Sequence, residues 1–245
     1  MKLHVTGATG YLGSELVRLR PDASRERMDV CDAGAVRELF ERVRPDVVIH
    51  AAYRQDGADA WAINVDGSRN VAGAAAAVGA RLVHLSTDVI FDGRNGSPYV
   101  ESDEPTPITE YGRSKAEAER RVAAAHPHAL LVRTSMIYGG AQPSKHELAS
   151  RDSALTFFTN ELRCPVQVGD LAAALLELAA IDVAGPLHVA GAEGLSRAEF
   201  AELVARRPVR RAPAPRSRPL DCRLDSSRAQ AMLRTRLRGV REVLE

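Results

Sequence analysis

The chain reads V-T-G-A-T-G-Y-L-G from Val5 to Gly13, which places three glycines between a short apolar run and a longer run with helical spacing. In such a turn Gly7 permits a tight reversal, Gly10 lets the backbone approach a pyrophosphate, and Gly13 allows the helix to pack closely on the sheet. The free N–H groups at the start of the helix then face the phosphates. The motif predicts dinucleotide binding, although an ordinary strand-to-helix turn that contains glycines is the alternative at this point.

Short apolar runs and helix-like runs alternate through the first two-thirds of the chain, outward from this turn. Strands are predicted at 3–5, 47–50, 82–85 and 130–133, and helices at 10–19, 35–44, 61–78 and 115–125. Asp32 is the predicted N-cap of the second helix, and Gly79 the predicted C-cap of the third. This alternation predicts an α/β fold of the Rossmann type, a doubly wound parallel sheet with helices on both faces and the ligand at the carboxyl ends of the strands.

The pattern becomes looser after Gly139. We expect a polar loop over 140–152, helices over 171–180 and 196–205, a short strand over 187–189, and an extended or mobile Arg- and Pro-rich segment from Arg206 to Pro219. Asp170 and Ser196 are the predicted N-caps, with Glu199 completing a capping box. Residues 1–139 are therefore interpreted as a dinucleotide-binding domain and residues 140–245 as a small substrate lobe that partly returns to the sheet.

Composition excludes several function classes. The net charge of +1 over 245 residues gives no general attraction to nucleic acid or to an anionic membrane, and the basic segment 206–218 lacks aromatic residues for base stacking. No apolar stretch is long enough to span a bilayer, and the N-terminus does not have the pattern of a secretory signal. The three cysteines, Cys31, Cys164 and Cys222, have no ligand-like spacing, so we expect no metal site and a reduced, cytoplasmic setting.

Tyr111 and Lys115 stand four residues apart, on one face of a predicted helical turn. An ammonium beside a phenol lowers the phenol pKa from about 10, so this spacing suits proton transfer to or from a carbonyl oxygen. The chain has only three lysines, Lys2, Lys115 and Lys145, and this scarcity favours a functional role for Lys115. The alternative is a solvated helix that carries an unrelated tyrosine and lysine.

A Ser86-Thr87-Asp88 segment ends the predicted strand at 82–85. A hydroxyl at the carboxyl end of a strand is positioned to orient a reacting carbonyl. A turn that merely ends the strand is the alternative. Together with Tyr111 and Lys115, Thr87 is interpreted as a catalytic residue.

Several motifs taken together resemble the extended short-chain dehydrogenase/reductases, and more closely their dTDP-4-dehydrorhamnose reductase branch. The motifs are G-A-T-G-Y-L-G from Gly7, R-P-D-V-V-I-H-A-A from Arg44, I-N-V-D-G-S-R-N-V from Ile63, S-T-D-V-I-F-D-G from Ser86, E-S-D-E-P-T-P from Glu101, Y-G-R-S-K from Tyr111, R-T-S-M-I-Y-G from Arg133, P-V-Q-V-G-D-L-A from Pro165 and L-H-V-A-G from Leu187. The resemblance is strong as far as Gly139 and looser beyond it.

The resemblance implies a triad of Thr87, Tyr111 and Lys115, with Tyr111 as the proton donor and Lys115 also holding the nicotinamide ribose. It implies NADPH or NADH as cofactor, and the glycine turn and the resemblance together assign the cofactor contacts to Gly7, Thr9, Gly10, Tyr11, Leu12, Gly13, Asp29, Val30, Ala51, Ala52, Tyr53 and Leu85. The implied substrate contacts are Thr87, Asp88 and Met136. The implied reaction is reduction of a ketone, the 4-keto group of a nucleotide-activated deoxysugar, and a homodimer is the family-level expectation.

The sequence also departs from the family pattern. The stretch 19–29 is short for the usual second strand, in the region that distinguishes NADH from NADPH, so both cofactors stay open. Four arginines are candidates for a 2′-phosphate contact, with a solvated surface charge as the favoured alternative for each: Arg18, Arg20, Arg25 and Arg27. The branch often has Trp where this chain has Met136.

Two other functions share these motifs. A nucleotide-sugar epimerase has the same glycine turn and Tyr-Lys spacing, whereas a sugar dehydratase is disfavoured because Val89, not an acid, follows Asp88. A non-catalytic dinucleotide-binding subunit, similar to the regulatory subunit of methionine adenosyltransferase, is the alternative from a different class.

Overall fold

The computed structural model describes all 245 residues, Met1 to Glu245. Up to residue 134 its elements are β1 (Leu3–Thr6), α1 (Tyr11–Leu19), α2 (Ala33–Val43), β2 (Val47–His50), a π-helical segment (Ala62–Gly67), α3 (Ser68–Ala77), β3 (Arg81–Thr87), a 3₁₀ turn (Asp88–Ile90), α4 (Glu110–Ala125) and β4 (Leu130–Thr134). Beyond it come β5 (Ile137–Tyr138), α5 (Lys145–Arg151), β6 (Thr156–Phe158), β7 (Leu162–Arg163), β8 (Val166–Gln167), α6 (Val168–Leu178), β9 (Gly185–His188), β10 (Leu195–Ser196), α7 (Arg197–Ala205), β11 (Arg210–Ala212), α8 (Ser227–Met232) and α9 (Val240–Leu244).

Five strands form the central sheet, in the spatial order β1-β2-β3-β4-β9, and every neighbouring pair is parallel. Because all five strands run the same way, their carboxyl ends share one edge, where ligands bind in open α/β sheets. The α/β fold with a parallel sheet, predicted from the alternating pattern, is confirmed.

Helices cover both faces of the sheet. On one face, α1, α6 and α8 pack on the strands through a core that includes Leu16, Leu171 and Leu175. On the other face, α2, α3 and α4 bury a second core around Phe40 and Val71. No helix of the protein is both long enough and apolar enough to span a membrane.

The connection between α1 and α2 contains no strand of its own. Ser24 alone pairs with β1: its carbonyl accepts from Val5 N at 2.9 Å, and its N–H donates to Leu3 O at 2.8 Å. The short 19–29 stretch therefore forms no second strand, as the sequence indicated, and β1 is an edge strand of the five-stranded sheet.

The predicted loop over 140–152 is wrong in its second half, which forms α5. The Ser144 side chain accepts from Glu147 N and the Glu147 carboxylate accepts from Ser144 N, so a capping box starts this helix. The signal was present as a serine followed three residues later by glutamate. Gly140 and Pro143, which are typical loop residues, precede it and concealed the pattern.

Two other segments in the second half of the chain differ from the prediction. Helix α6 begins at Val168, three residues early, because the Gln167 side chain caps it by accepting from Asp170 N at 2.8 Å. Asp170 is not the N-cap; its carboxylate instead accepts two hydrogen bonds from the Arg238 guanidinium. The Arg- and Pro-rich segment is partly ordered, since β11 pairs with β6 in parallel.

A buried ion pair links α4 to β4. The Arg133 guanidinium donates to the Glu119 carboxylate at 3.0 to 3.2 Å, and both side chains are almost fully buried. Arg133 also donates to Glu101 O and lies over the Phe91 ring. Removing one partner of such a pair leaves a charge buried without compensation.

We predict that Arg133→Met lowers the free energy of unfolding by about 3 to 5 kcal/mol, because the buried Glu119 carboxylate loses its ion-pair partner. The double variant Arg133→Met/Glu119→Leu recovers most of this loss, since both charges are gone. Urea unfolding followed by circular dichroism measures both. The control is Arg120→Met, which breaks only the exposed pair with Glu117 and leaves stability unchanged. Equal stability of wild type and Arg133→Met would contradict this account.

Candidate active site

The glycine turn lies tightly between β1, α1 and the end of β2. Gly7 has a φ of +69°, and a side chain there would lie 2.7 Å from Ala52 N and 2.8 Å from Ala51 C. A side chain at Gly13 would lie 2.0 Å from Gly7 O. The glycine turn therefore lies directly against Ala51 and Ala52. Both segments can then contact the same cofactor.

The start of α1 fits the pyrophosphate of a dinucleotide. Gly10 is the N-cap residue and has no side chain to bond the first N–H groups of the helix, and no acidic residue occupies the first turn. Unbonded N–H groups at a helix start attract phosphate. The turn positions Thr9, Tyr11 and Leu12 at this end, although the Leu12 side chain is buried in the core.

Asp29 and Val30 come from the connection before α2. The exposed Asp29 carboxylate accepts from Cys31 N at 2.9 Å. Val30 is buried, and a side chain at Gly67 would lie 2.5 Å from Val30 Cγ2. The Val30 carbonyl accepts from Asn70 Nδ2 at 3.1 Å, which holds this segment on α3.

Tyr111 lies in the first turn of α4, because this helix begins earlier than the predicted 115. Thr109 caps it by accepting from Gly112 N at 3.0 Å. Gly112 permits contact with the 3₁₀ turn after β3, since a side chain there would lie 2.2 Å from Val89 O. The Tyr53 and Tyr111 ring centroids are 6.0 Å apart, so Tyr53 flanks the phenol.

Lys115 is buried behind Tyr111, with only 2% of its surface exposed. Its Nζ donates to Leu85 O at 2.6 Å and lies 3.5 Å from His84 Nε2. Burial lowers the Lys115 pKa from 10.5 to about 8, with Glu119 acting in the opposite direction. The lysine therefore carries its charge at neutral pH.

The expected lowering of the phenol pKa by Lys115 is wrong for this structure. Burial raises the Tyr111 pKa, and neighbouring Tyr53 and Asp88 raise it further, whereas only Thr87 opposes them. The lysine ammonium faces Leu85 O rather than the phenol. Tyr111 thus holds its proton firmly, as a proton donor must before the reaction.

Thr87 and Asp88 continue into a buried polar cluster. Thr87 Oγ1 donates to Asp88 Oδ1 at 3.3 Å, and Asp88 Oδ2 accepts from Ser135 Oγ at 2.6 Å. Arg163 Nε lies 3.6 Å from the same Asp88 oxygen. Burial raises the Asp88 pKa, while Arg163 and Ser135 oppose the shift. Met136, adjacent to Ser135, is buried at the edge of this cluster.

Sequence reasoning missed three contributors to this site. Asn64 fixes the segment after β2, since its amide bonds Arg54 N at 2.8 Å and Arg54 O at 2.7 Å and also donates to Ser114 Oγ. Asn64 lies within the quoted I-N-V-D-G-S-R-N-V motif, so its signal was available. Ser135 lies within the quoted R-T-S-M-I-Y-G motif, whereas Arg163 gave no signal, because only the folded chain brings it to Asp88.

Tyr11 joins the glycine turn to the second half of the chain. Its hydroxyl accepts from Gly140 N at 2.7 Å and lies 3.3 Å from Glu147 Oε2. Tyr11 also packs against the core shared by α1 and α6. The turn and the segment before α5 are therefore held in one arrangement.

The family model of the RmlD substrate binding domain matches residues 1–245. A dTDP-4-dehydrorhamnose reductase of Mycobacterium tuberculosis is 37% identical over 251 aligned positions, which cover 89% of this chain and 82% of that protein. The crystal structure of a dTDP-4-dehydrorhamnose reductase of Bacillus anthracis in complex with NADP is similar with a TM-score of 0.88, at 27% identity, covering 100% of this chain and 97% of that chain. Methionine adenosyltransferase 2 subunit beta of Bos taurus is 30% identical over 93% of this chain and 81% of that protein.

We predict that the buried Lys115 costs folding stability at neutral pH. Because its pKa is about 8 in the folded protein and 10.5 in the unfolded chain, the unfolded chain binds more protons between these values. Relative to Lys115→Met, the wild type therefore gains about 3 kcal/mol between pH 7 and pH 10.5. Urea unfolding of the two proteins at several pH values measures this gap. A gap that stays constant with pH would show that Lys115 is not desolvated.

Proposed function

The chain belongs to the RmlD substrate binding domain family, and from that membership we propose that it catalyses NAD(P)H-dependent reduction of a nucleotide-activated 4-ketosugar. The observation that carries the proposal is that Thr87, at the carboxyl end of β3, lies with Tyr111 and Lys115 of α4, where Lys115 Nζ donates to Leu85 O at 2.6 Å. The names of the relatives from M. tuberculosis and B. anthracis support the ketosugar substrate class.

Each member of the triad has a distinct task. The reduced nicotinamide, when bound, supplies a hydride to the carbonyl carbon. Thr87 hydrogen-bonds the carbonyl oxygen and orients it, and Tyr111 gives its phenol proton to the same oxygen as negative charge develops there. Lys115, whose Nζ donates to Leu85 O, would bond the nicotinamide ribose.

Cofactor and substrate occupy neighbouring parts of the edge. We assign the pyrophosphate to the glycine turn and the adenosine to Asp29 and Val30. The remaining cofactor contacts are Ala51, Ala52, Tyr53 and Leu85. The sugar meets Thr87, Asp88 and Met136, where the Ser135 and Arg163 contacts hold the Asp88 carboxylate in place.

We predict that Tyr111→Phe binds NADPH as the wild type does but loses about 10²- to 10⁴-fold in turnover of dTDP-4-dehydrorhamnose, because the proton donor is gone. Cofactor binding is followed by nicotinamide fluorescence and turnover by absorbance of the reduced cofactor. Tyr138→Phe is the matched control, since its buried hydroxyl has no hydrogen-bond partner. Reduction at the wild-type rate by Tyr111→Phe would refute the mechanism.

The same assay separates the other two functions. A non-catalytic subunit binds NADPH but oxidises none with any 4-ketosugar nucleotide; the Bos taurus relative is named as a subunit of methionine adenosyltransferase 2. An epimerase converts the sugar nucleotide to its epimer without net oxidation of the cofactor. Net oxidation in proportion to ketone consumed supports the reductase.

Two arginines are assigned to the cofactor 2′-phosphate. Arg18 is bonded to Glu15 and Arg20 to Asp22, whereas Arg25 and Arg27 are exposed and form no ion pair. We predict that Arg25→Ala/Arg27→Ala weakens NADPH binding about tenfold or more and leaves NADH binding unchanged, since only NADPH carries the extra charge. Fluorescence titration with both cofactors measures the two affinities. An equal loss for both cofactors would argue against this assignment.

The proposal also covers the cellular location and the oligomeric state of the protein. All three cysteines are free thiols, which agrees with a reduced, cytoplasmic environment. A homodimer through surface helices is proposed from the family resemblance, and light scattering of the purified chain tests it.

A further inference from the structure

Two buried histidines lie side by side on neighbouring strands, next to Lys115. His50 of β2 and His84 of β3 are register partners, their ring centroids are 5.3 Å apart, and both are fully buried. His50 has a partner at each ring nitrogen, since Nδ1 bonds Thr6 Oγ1 at 2.6 Å and Nε2 bonds Ser68 Oγ at 3.0 Å. The His84 ring has one hydrogen-bond contact, in which its Nε2 lies 3.5 Å from Lys115 Nζ. His84 is therefore tied to the active-site lysine, whereas His50 is held by two hydroxyls.

The Lys115 ammonium has no carboxylate partner of its own. Glu119 lies one helical turn further along α4, but its carboxylate accepts three hydrogen bonds from Arg133. Lys115 is instead held by two neutral acceptors, Leu85 O at 2.6 Å and His84 Nε2 at 3.5 Å. An ammonium has three N–H donors, so these two contacts leave one donor for a ligand.

His84 must be neutral to act as an acceptor, and its surroundings keep it so. Burial lowers its pKa well below the usual 6.5, and the neighbouring Lys115 and His50 lower it further. His50 is itself neutral, because burial and Lys115 lower its pKa to about 3. The other buried charged groups on the adjoining elements are Glu119 of α4 and Arg133 of β4, which pair with each other, and α3 contributes none. A neutral ring that accepts at Nε2 carries its proton on Nδ1.

The Nδ1 atom of His84 has no hydrogen-bond partner in the protein. Burying a polar N–H without a partner costs free energy, whereas an apolar side chain at the same position carries no such cost. The flanking positions are apolar, since Leu82 on the same strand and Leu131, the register partner on β4, belong to the core under α2, α3 and α4. Packing alone therefore does not account for a histidine at this position, whereas the contact with Lys115 does.

We propose that His84 is a positioning residue for Lys115. A lysine ammonium carries rotatable donors on a flexible stem, so fixed acceptors are needed to set the direction of a free donor. His84 Nε2 accepts one N–H and Leu85 O accepts a second, which directs the third N–H to the nicotinamide ribose. This inference rests on the proposed function, in which Lys115 bonds that ribose. His84 acts only through the lysine and touches neither cofactor nor substrate.

Nuclear magnetic resonance of the histidine ring nitrogens tests the geometry without any turnover. In the wild type at neutral pH, we expect two-bond proton–nitrogen correlations to show His84 as the neutral Nδ1–H form. Its signals are assigned by their loss in His84→Gln. The Nε2–H form or a protonated ring would overturn the proposal, because Nε2 could not then accept from Lys115.

The Lys115 pKa is the second measurement, followed through the side-chain carbon and nitrogen signals of labelled lysine. Because the chain has only three lysines, the Lys115 signal is identified by its loss in Lys115→Met. We expect His84→Leu to lower the Lys115 pKa by about one unit or more, since the charged form loses an acceptor. His84→Gln, whose amide oxygen can take the position of Nε2, restores most of the difference.

His4→Leu is the matched control for the Lys115 pKa. His4 is also a fully buried strand histidine, but its ring bonds Ser24 Oγ on β1, away from Lys115. We expect the Lys115 pKa of His4→Leu to equal that of the wild type. A shift as large as that of His84→Leu would show a general effect of losing a buried histidine and would overturn the proposal.

The third measurement locates the effect at the nicotinamide end of the cofactor. NADPH and adenosine 2′,5′-bisphosphate, which lacks the nicotinamide ribose, are titrated by calorimetry into the wild type, His84→Leu and His84→Gln. We expect His84→Leu to bind NADPH about 3- to 10-fold more weakly and the bisphosphate unchanged, with the NADPH affinity recovered in His84→Gln. In turnover, His84→Leu lowers kcat more than it raises KM for the ketosugar, because the sugar is bound by other residues.

The outcomes separate this inference from the proposed function. An unchanged Lys115 pKa in His84→Leu overturns the inference, and so does a His84→Gln variant that behaves like His84→Leu, because packing would then explain the effect. An equal loss of affinity for NADPH and for the bisphosphate also overturns it. The wild-type tautomer decides the question even where His84→Leu does not fold. If all three measurements follow the expectation but no ketone is reduced, His84 keeps its role and only the reductase is refuted.

Discussion

The approach of α1 to the backbone of β1 and β2 constrains everything else at the site. Gly13 lies so close to Gly7 O, and Gly7 so close to Ala51 and Ala52, that no side chain fits at either glycine. This contact aligns the start of the first helix with the carboxyl end of the sheet. The uncapped helix start, the segment after β2 and the Thr87 strand end consequently meet at a single edge.

The parallel sheet and its flanking helices were predictable because local patterns and tertiary packing agree there. Apolar runs such as Val47 to Ile49 are buried on both faces, and Asp32 caps α2 as its sequence position indicates. The prediction failed where a short signal lay within polar sequence, as at Ser144 before α5. It also failed where a neighbour replaced the expected partner, since Gln167 caps α6 and Asp170 instead bonds Arg238.

The active site likewise has features that the sequence predicts and features that it does not. Spacing along one helix brings Tyr111 and Lys115 to the same end of the sheet, so their proximity was predictable from the sequence. The direction of the Tyr111 pKa was not, because it depends on burial and on Tyr53 and Asp88, which come from other parts of the chain. Arg163 was invisible for the same reason: its significance depends on which carboxylates the fold places beside it.

The single bridge at Ser24 has a consequence for how the molecule avoids association with itself. With no full strand outside it, β1 has only Ser24 as a hydrogen-bonded neighbour on its outer side, and an exposed strand edge can template pairing with another chain. Here β1 is only four residues long, and Ser24 pairs with two of its outward-facing groups, Leu3 O and Val5 N. Ser24 thus limits the pairing of another strand with the β1 edge. The catalytic strand β3 lies two strands further inside the sheet.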